Sequence, residues 1–236
     1  MIVFGMVWTA PATLVDYAMD TLSSGRVRVV STDGNLWTGS GQLEIRNSVG
    51  AAVYAGSLDW SVSKSRVLLG QLVIHYHLFD QPLTGAAQLS FASLLLTDIQ
   101  LDLPAAAVMA LIPAIEGYGV GGTLTIASQS LQFTRESTLG DAELRWQDAS
   151  SALAPVAPLG SYQLHLVGDA APVQFNAQLT TLQGPLQLDG GSTLGINERP
   201  SMQVNAALPD SAYAELAPFM RLIGVESPGG RFLIDI

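Results

Sequence analysis

A five-residue pattern recurs along this chain and constrains its fold more than any other feature: glycine, any residue, then two apolar residues separated by one. It occurs as Gly41-Gln42-Leu43-Glu44-Ile45, Gly56-Ser57-Leu58-Asp59-Trp60, Gly70-Gln71-Leu72-Val73-Ile74 and Gly85-Ala86-Ala87-Gln88-Leu89, with starts 15, 14 and 15 residues apart. One strand plus one turn fills each interval. Looser copies begin at Gly122, Gly140, Gly160, Gly184 and Gly230. Glycine reaches turn and bulge conformations closed to other residues, and the alternation that follows sets apolar side chains on one strand face. Between Val173 and Thr180, Val173, Phe175, Ala177 and Leu179 alternate with Gln174, Asn176, Gln178 and Thr180. Leu58, Trp60 and Val62 follow the same rule, as do Ala142, Leu144 and Trp146. Short strands with clean alternation predict an antiparallel meander covered on one side.

Two similar interruptions break the strands. Leu103-Pro104 opens an alanine-rich stretch that runs through Pro113 to Gly117, and Leu208-Pro209 opens another that runs through Pro218 to Gly224. Proline suits a first helical turn and glycine a helix end, so each reads as a short helix that returns the chain to the sheet. Ala10 to Met19 is a weaker third copy. The two helix-then-strand modules lie about 105 residues apart, which predicts an internal repeat with its boundary near residue 127. The expected fold is mainly β: an elongated, twisted antiparallel sheet, barrel-like but incompletely closed, or taco-like, with a few short capping helices.

The 236 residues fit one all-β domain or two small ones. Ten Lys and Arg against 20 Asp and Glu give a net charge of −10, and Lys64 is the single lysine. Phosphate binding needs clustered cations, so neither a nucleic-acid groove nor an anionic-lipid patch is expected. Without cysteine the chain has no disulfide, thiolate metal site or cysteine nucleophile. Met1 to Trp8 is unbroken apolar sequence, and no Lys or Arg precedes Arg26. Two readings stand side by side, the trailing half of an inner-membrane anchor and a buried N-terminal helix. The expected organisation is an N-terminal segment over 1–25 and a β domain over 26–236.

Chemical motifs are sparse. His75 and His77 flank Tyr76 and share a strand face, but a catalytic metal needs a third ligand, and His165 is the only other histidine. Gly117-Tyr118-Gly119-Val120-Gly121-Gly122 fits the dinucleotide glycine spacing, yet it precedes a strand instead of opening a helix, so it reads as a loop. Gly39-Ser40-Gly41 lacks the strand-to-helix setting of a nucleophile elbow, and Asp33-Gly34 reads as a turn. Asp80, Asp98, Asp102 and Glu143 are scattered over separate elements, and none is singled out as half of a catalytic pair. No catalytic residue, cofactor or metal site is expected. Trp37 and Trp60, each in a strand signal, belong either to the core or to the lining of an apolar groove. Trp146 and Phe175 join them as candidates for a groove or a partner contact.

In their order, these motifs resemble the type II secretion system protein N family. Gly34-Asn35-Leu36-Trp37-Thr38-Gly39-Ser40-Gly41 is similar to the family's Gly-x-Leu-Trp-x-Gly signature. Leu58 to Val62 with Leu68-Leu69-Gly70 resembles its next tryptophan strand and turn. Leu144 to Ala149 with Leu159 to Tyr162 resembles a later tryptophan strand, and Leu216 to Ile236 its closing helix and strand. The resemblance implies a bitopic inner-membrane protein with its bulk in the periplasm, a non-enzymatic accessory or scaffold that touches other secretion components through a sheet edge or the uncharged polar face. A more remote likeness to AsmA-like proteins implies the alternative, a periplasmic carrier of lipid or another hydrophobic ligand.

Overall fold

The computed structural model describes residues 10–78, 84–112, 116–169, 173–195, 202–227 and 231–235. Among the described residues, fourteen strands are hydrogen-bonded in one sheet, in chain order from β1 to β12 and then β14 and β13. Every register given for neighbouring strands is antiparallel, and β1 and β13 are the two edges, so the sheet is not closed into a barrel. The mainly β, open antiparallel architecture expected from the sequence is present. By contacts the chain divides into two compact units, 1–100 with 107–116, and 101–106 with 117–236.

The first unit begins with helix α1 (Thr13–Leu22), then β1 (Val27–Asn35), β2 (Thr38–Arg46), β3 (Ala52–Val62), the one-turn helix α2 (Lys64–Val67), β4 (Leu72–Leu78), β5 (Thr84–Leu89) and most of β6 (Ser93–Pro104). The 15-residue glycine rhythm corresponds to β2 through β5. The alanine-rich stretch after Pro104 forms only one short helix, α3 (Ala105–Met109), followed by a 3-10 turn (Glu116–Tyr118); residues 113–115 of the expected helix lie outside the described residues. Ala107 and Ala110 are buried against Ile45, with Val53 and Tyr54 beside them. Small side chains let the helix approach the strands closely, and Arg26 donates to the Ala110 carbonyl.

The second unit contains β7 (Val120–Thr134), β8 (Thr138–Ser151), β9 (Gly160–Gly168), β10 (Gln174–Gln183), β11 (Gln187–Gly195), β12 (Gln203–Ala207), α4 (Asp210–Ile223), β13 (Val225–Ser227) and β14 (Arg231–Asp235). Strand β10 carries the alternation read from Val173 to Thr180. Pro209 stands before α4, as the sequence predicts, and Leu216, Ala217, Phe219 and Met220 of that helix are buried. They pack on Val204 and Ala206 of β12, Phe232 and Ile234 of β14, and Leu159 and Leu186. The amphipathic helix thereby gives the last strands a core on one face.

Tyr162 ties this core to the sheet. Its hydroxyl donates to the Leu186 carbonyl at 3.0 Å, and burial raises its pKa well above the ordinary phenol value. Tyr162→Phe removes the donor and leaves a buried carbonyl unpaired. The expected loss is about 1–2 kcal/mol, read from urea unfolding.

Candidate functional site

The glycine and tryptophan signature builds one corner of the first unit. Its Trp37 falls in a two-residue turn between β1 and β2, not within a strand as the alternation suggests. The Asn35 side chain explains the turn: its Oδ1 accepts the backbone N–H groups of Trp37 at 2.9 Å and Thr38 at 3.1 Å. Gly34 has φ +91°, and a Cβ there would meet the Thr38 carbonyl at 2.5 Å, so only glycine fits. The Trp37 ring is buried, and the Lys64 ammonium lies 5.7 Å from its centroid, within cation–π reach.

Strand register then aligns Gly34, Gly39, Trp60, Tyr76 and Gly85 across five strands. The two rings occupy space that the glycines leave open. A Cβ on Gly39 would fall 2.5 Å from Trp60 Cζ2, and one on Gly85 would overlap the Tyr76 ring. Aromatic rings laid over strand glycines restore packing that glycine lacks. Trp60 is 6% exposed, and its Nε1 is buried with no hydrogen-bond partner among the described residues. Burial, with a smaller contribution from the Asp98 carboxylate, raises the Tyr76 pKa.

The opposite face of the same strands is polar. Asp33, Ser40, Asp59 and His77 form one cross-strand row, and Thr38, Ser61 and His75 form the next. These two rows, with the glycine and aromatic residues that lie between them along each strand, line an open cleft of about 470 Å³. The row places Asp59 between Ser40 and His77. In a nucleophile relay the imidazole stands between serine and carboxylate, so this order cannot pass a proton from Ser40 to His77 with Asp59 behind it. Among the described residues no group of three or more His, Asp or Glu side chains is placed to hold a metal. What the arrangement offers is a strip of hydroxyl, carboxylate and imidazole groups, able to donate and accept hydrogen bonds to an extended polar chain.

The four aromatic candidates divide between two places. Trp37 and Trp60 are buried in the first unit. In the second, Trp146 is half-buried, donates to the Gly121 carbonyl at 2.9 Å and packs against Tyr162, while Phe175 meets Phe133 edge-on with ring centroids 5.9 Å apart. Of the carboxylates noted from sequence, Asp80 lies outside the described residues, Asp102 accepts from Thr125 at 2.6 Å, and Glu143 pairs with Arg145. The sequence did not point to Asp59 as part of a site, and Asp33 reads there only as a turn residue. Their alignment with Ser40 and His77 depends on register, which a single sequence does not spell out.

Edge β1 is covered by the segment before it. The Asp16 carboxylate of α1 accepts the outward-facing Val29 N–H at 2.9 Å and grips the Arg28 guanidinium at 2.8 and 2.6 Å. Ser23 accepts from the Val27 N–H at 2.8 Å and donates to the Val27 carbonyl at 3.2 Å. Further along, Ser31 takes φ +52° where the β1–β2 register shifts, and Pro11 bridges to Asn35. A helix, a bulge and a bridging segment are three known ways of closing a sheet edge to foreign strands.

Among known proteins, the family model of type II secretion system protein N matches residues 25–235. No curated protein and no solved structure matches the chain significantly.

Proposed function

Because the chain belongs to the type II secretion system protein N family, and is thereby an accessory component of type II protein secretion, we propose that it acts in the periplasm as a non-enzymatic scaffold that binds other secretion components. The observation that carries this reading is the open cleft on the first unit, where polar side chains are interspersed with apolar area. It is lined by hydroxyl, carboxylate and imidazole groups from four adjacent strands, and the Trp60 and Tyr76 row runs between its polar rows. With β1 covered by α1, the strand face and not that edge is the surface offered to a partner. Attachment to the inner membrane through the N-terminal segment belongs to the same proposal; none of the described helices is long and apolar enough to cross a membrane.

Ser61→Arg combined with His75→Glu changes two exposed side chains of the cleft without touching Trp60 or Tyr76. The double variant should fold with the parent's circular dichroism and thermal midpoint. A photo-crosslinker at position 61 of the otherwise unchanged chain should capture a secretion component in envelope preparations. Cells carrying the double variant should lose export of secreted enzymes. Normal export with the double variant, or no secretion component among the crosslinked species, would reject the cleft as the working surface.

A further inference from the structure

We infer that the first unit carries a second surface, independent of the cleft, which inserts into the interface of an anionic lipid bilayer. It is built from two neighbouring loops, residues 63–72 around α2 and residues 89–93 between β5 and β6. Strand register joins them, because Leu72 pairs with Leu89. Phe91 is 89% exposed, Leu69 73% and Leu68 67%, and Val67, Leu72 and Leu89 add further exposed apolar area. Val67, Leu72, Leu89 and Phe91 also line a groove of about 280 Å³ between the loops. Gly70 brings the loops together: its φ is +76°, and the Phe91 ring lies where a Cβ would reach within 2.9 Å of it. Large side chains this exposed and this close together mark an interaction site, not scattered surface hydrophobes.

Two further observations select a bilayer over a protein partner. The first is charge. The chain carries twice as many acidic as basic residues, yet these loops contain Arg66 and Lys64, the latter with its ammonium also near the Trp37 ring, and no Asp or Glu. The overall balance that disfavours an anionic-lipid patch is thus reversed within these loops. Cations behind an apolar tip fit a negatively charged membrane surface, with the tip in the acyl boundary and the charges among the headgroups.

The second observation is the backbone. The N–H groups of Arg66 and Val67 donate to the Ser63 carbonyl, those of Leu69 and Gln71 to Arg66, and that of Gly70 to Val67. In the other loop Ser90 donates to the Ser93 carbonyl, and Ala92 and Ser93 donate to Ser90 Oγ. A loop entering an apolar medium must satisfy its own amides, since lipid supplies no partner. The eight amides named here already do so, within the loops themselves.

The absence of cysteine makes the test direct. Ala92→Cys places a single environment-sensitive dye beside Phe91, and Val49→Cys places one in the β2–β3 turn, beyond the opposite end of β3, on a residue 84% exposed. Vesicles of phosphatidylethanolamine and phosphatidylglycerol should shift the dye at position 92 to the blue and leave the dye at 49 unchanged. Leu68→Ser, Leu69→Ser and Phe91→Ser together should lower vesicle partitioning on the order of tenfold or more. Lys64→Gln with Arg66→Gln should lower it on the order of tenfold on these vesicles and hardly at all on phosphatidylcholine. The charge pair and the dye positions decide the matter even where the triple variant misfolds. Three results overturn the inference: no shift at position 92; equal shifts at both positions; or a shift at 92 that rises with protein concentration in the absence of vesicles, which would identify a second copy as the occupant.

Discussion

Trp60→Ala is expected to lower the stability of the first unit by about 3–5 kcal/mol, the range for truncating a buried aromatic side chain. The size of the loss follows from what surrounds the ring. Gly39 on one side has no side chain to move into the void, and Tyr76 on the other is held over Gly85. A cavity that its neighbours cannot fill keeps nearly its full cost. Trp60→Phe should behave differently, at about 1 kcal/mol or less, because it also removes the buried Nε1–H that lacks an acceptor among the described residues. An unpaired buried donor costs about 1–3 kcal/mol, and its removal offsets most of the lost area. Urea unfolding followed by far-ultraviolet circular dichroism distinguishes the two, with the midpoint shifting and the slope preserved. Equal losses for both variants would show that Nε1 has a partner in solution, a bound water above all.

The contrast between those variants follows from facts at two levels, and only one of them is written plainly in the chain. That Trp60 lies on an alternating strand after a glycine turn can be read from Gly56-Ser57-Leu58-Asp59-Trp60 alone. That its neighbours are Gly39 and Tyr76 depends on register, which the connections joining β2, β3 and β4 determine. The same division runs through the candidate site. His75 and His77 share a face by period alone, whereas Asp33 and Asp59 enter that face only when β1, β2 and β3 are aligned. Trp37 departs from its strand because a neighbouring side chain, Asn35, caps the turn. The α4 helix was legible because proline, an amphipathic stretch and glycine agree over 14 residues. The stretch after Pro104 carries similar signals but forms a five-residue helix, and buried Ala107 and Ala110 show packing on Ile45 competing with helix length.

Edge protection is the other feature that a one-dimensional reading misses, and it yields the second large effect. Asp16→Ala is expected to destabilise the first unit by about 2–3 kcal/mol, since one carboxylate satisfies both the Val29 N–H and the Arg28 guanidinium, and hydrogen bonds to charged groups are the stronger kind. Its larger consequence is association. With α1 released, β1 presents unpaired amides to any extended chain, and sedimentation velocity should show dimers or larger species growing with concentration. The parent chain should show no such growth attributable to β1. Asp16→Asn separates the two roles, because its amide oxygen still accepts from Val29 while the ion pair with Arg28 is lost; it should resist β1 pairing and be only moderately less stable.

The pH dependence follows from the same contact. The Arg28 hydrogen bond, aided by that from Val29 and opposed by partial burial, holds the Asp16 carboxyl below its ordinary value. A depressed folded-state pKa means that the stabilisation is complete above the unfolded aspartate value of about 3.9 and disappears as the pH falls through the lower folded value. Acid should therefore loosen α1 from β1 and expose the Val29 amide to hydrogen exchange in the parent but change little in Asp16→Asn, which has no carboxyl to protonate. If Asp16→Ala stays monomeric at every concentration and protects the Val29 amide as the parent does, then the bulge at Ser31 and the Pro11–Asn35 bridge close the edge without the helix.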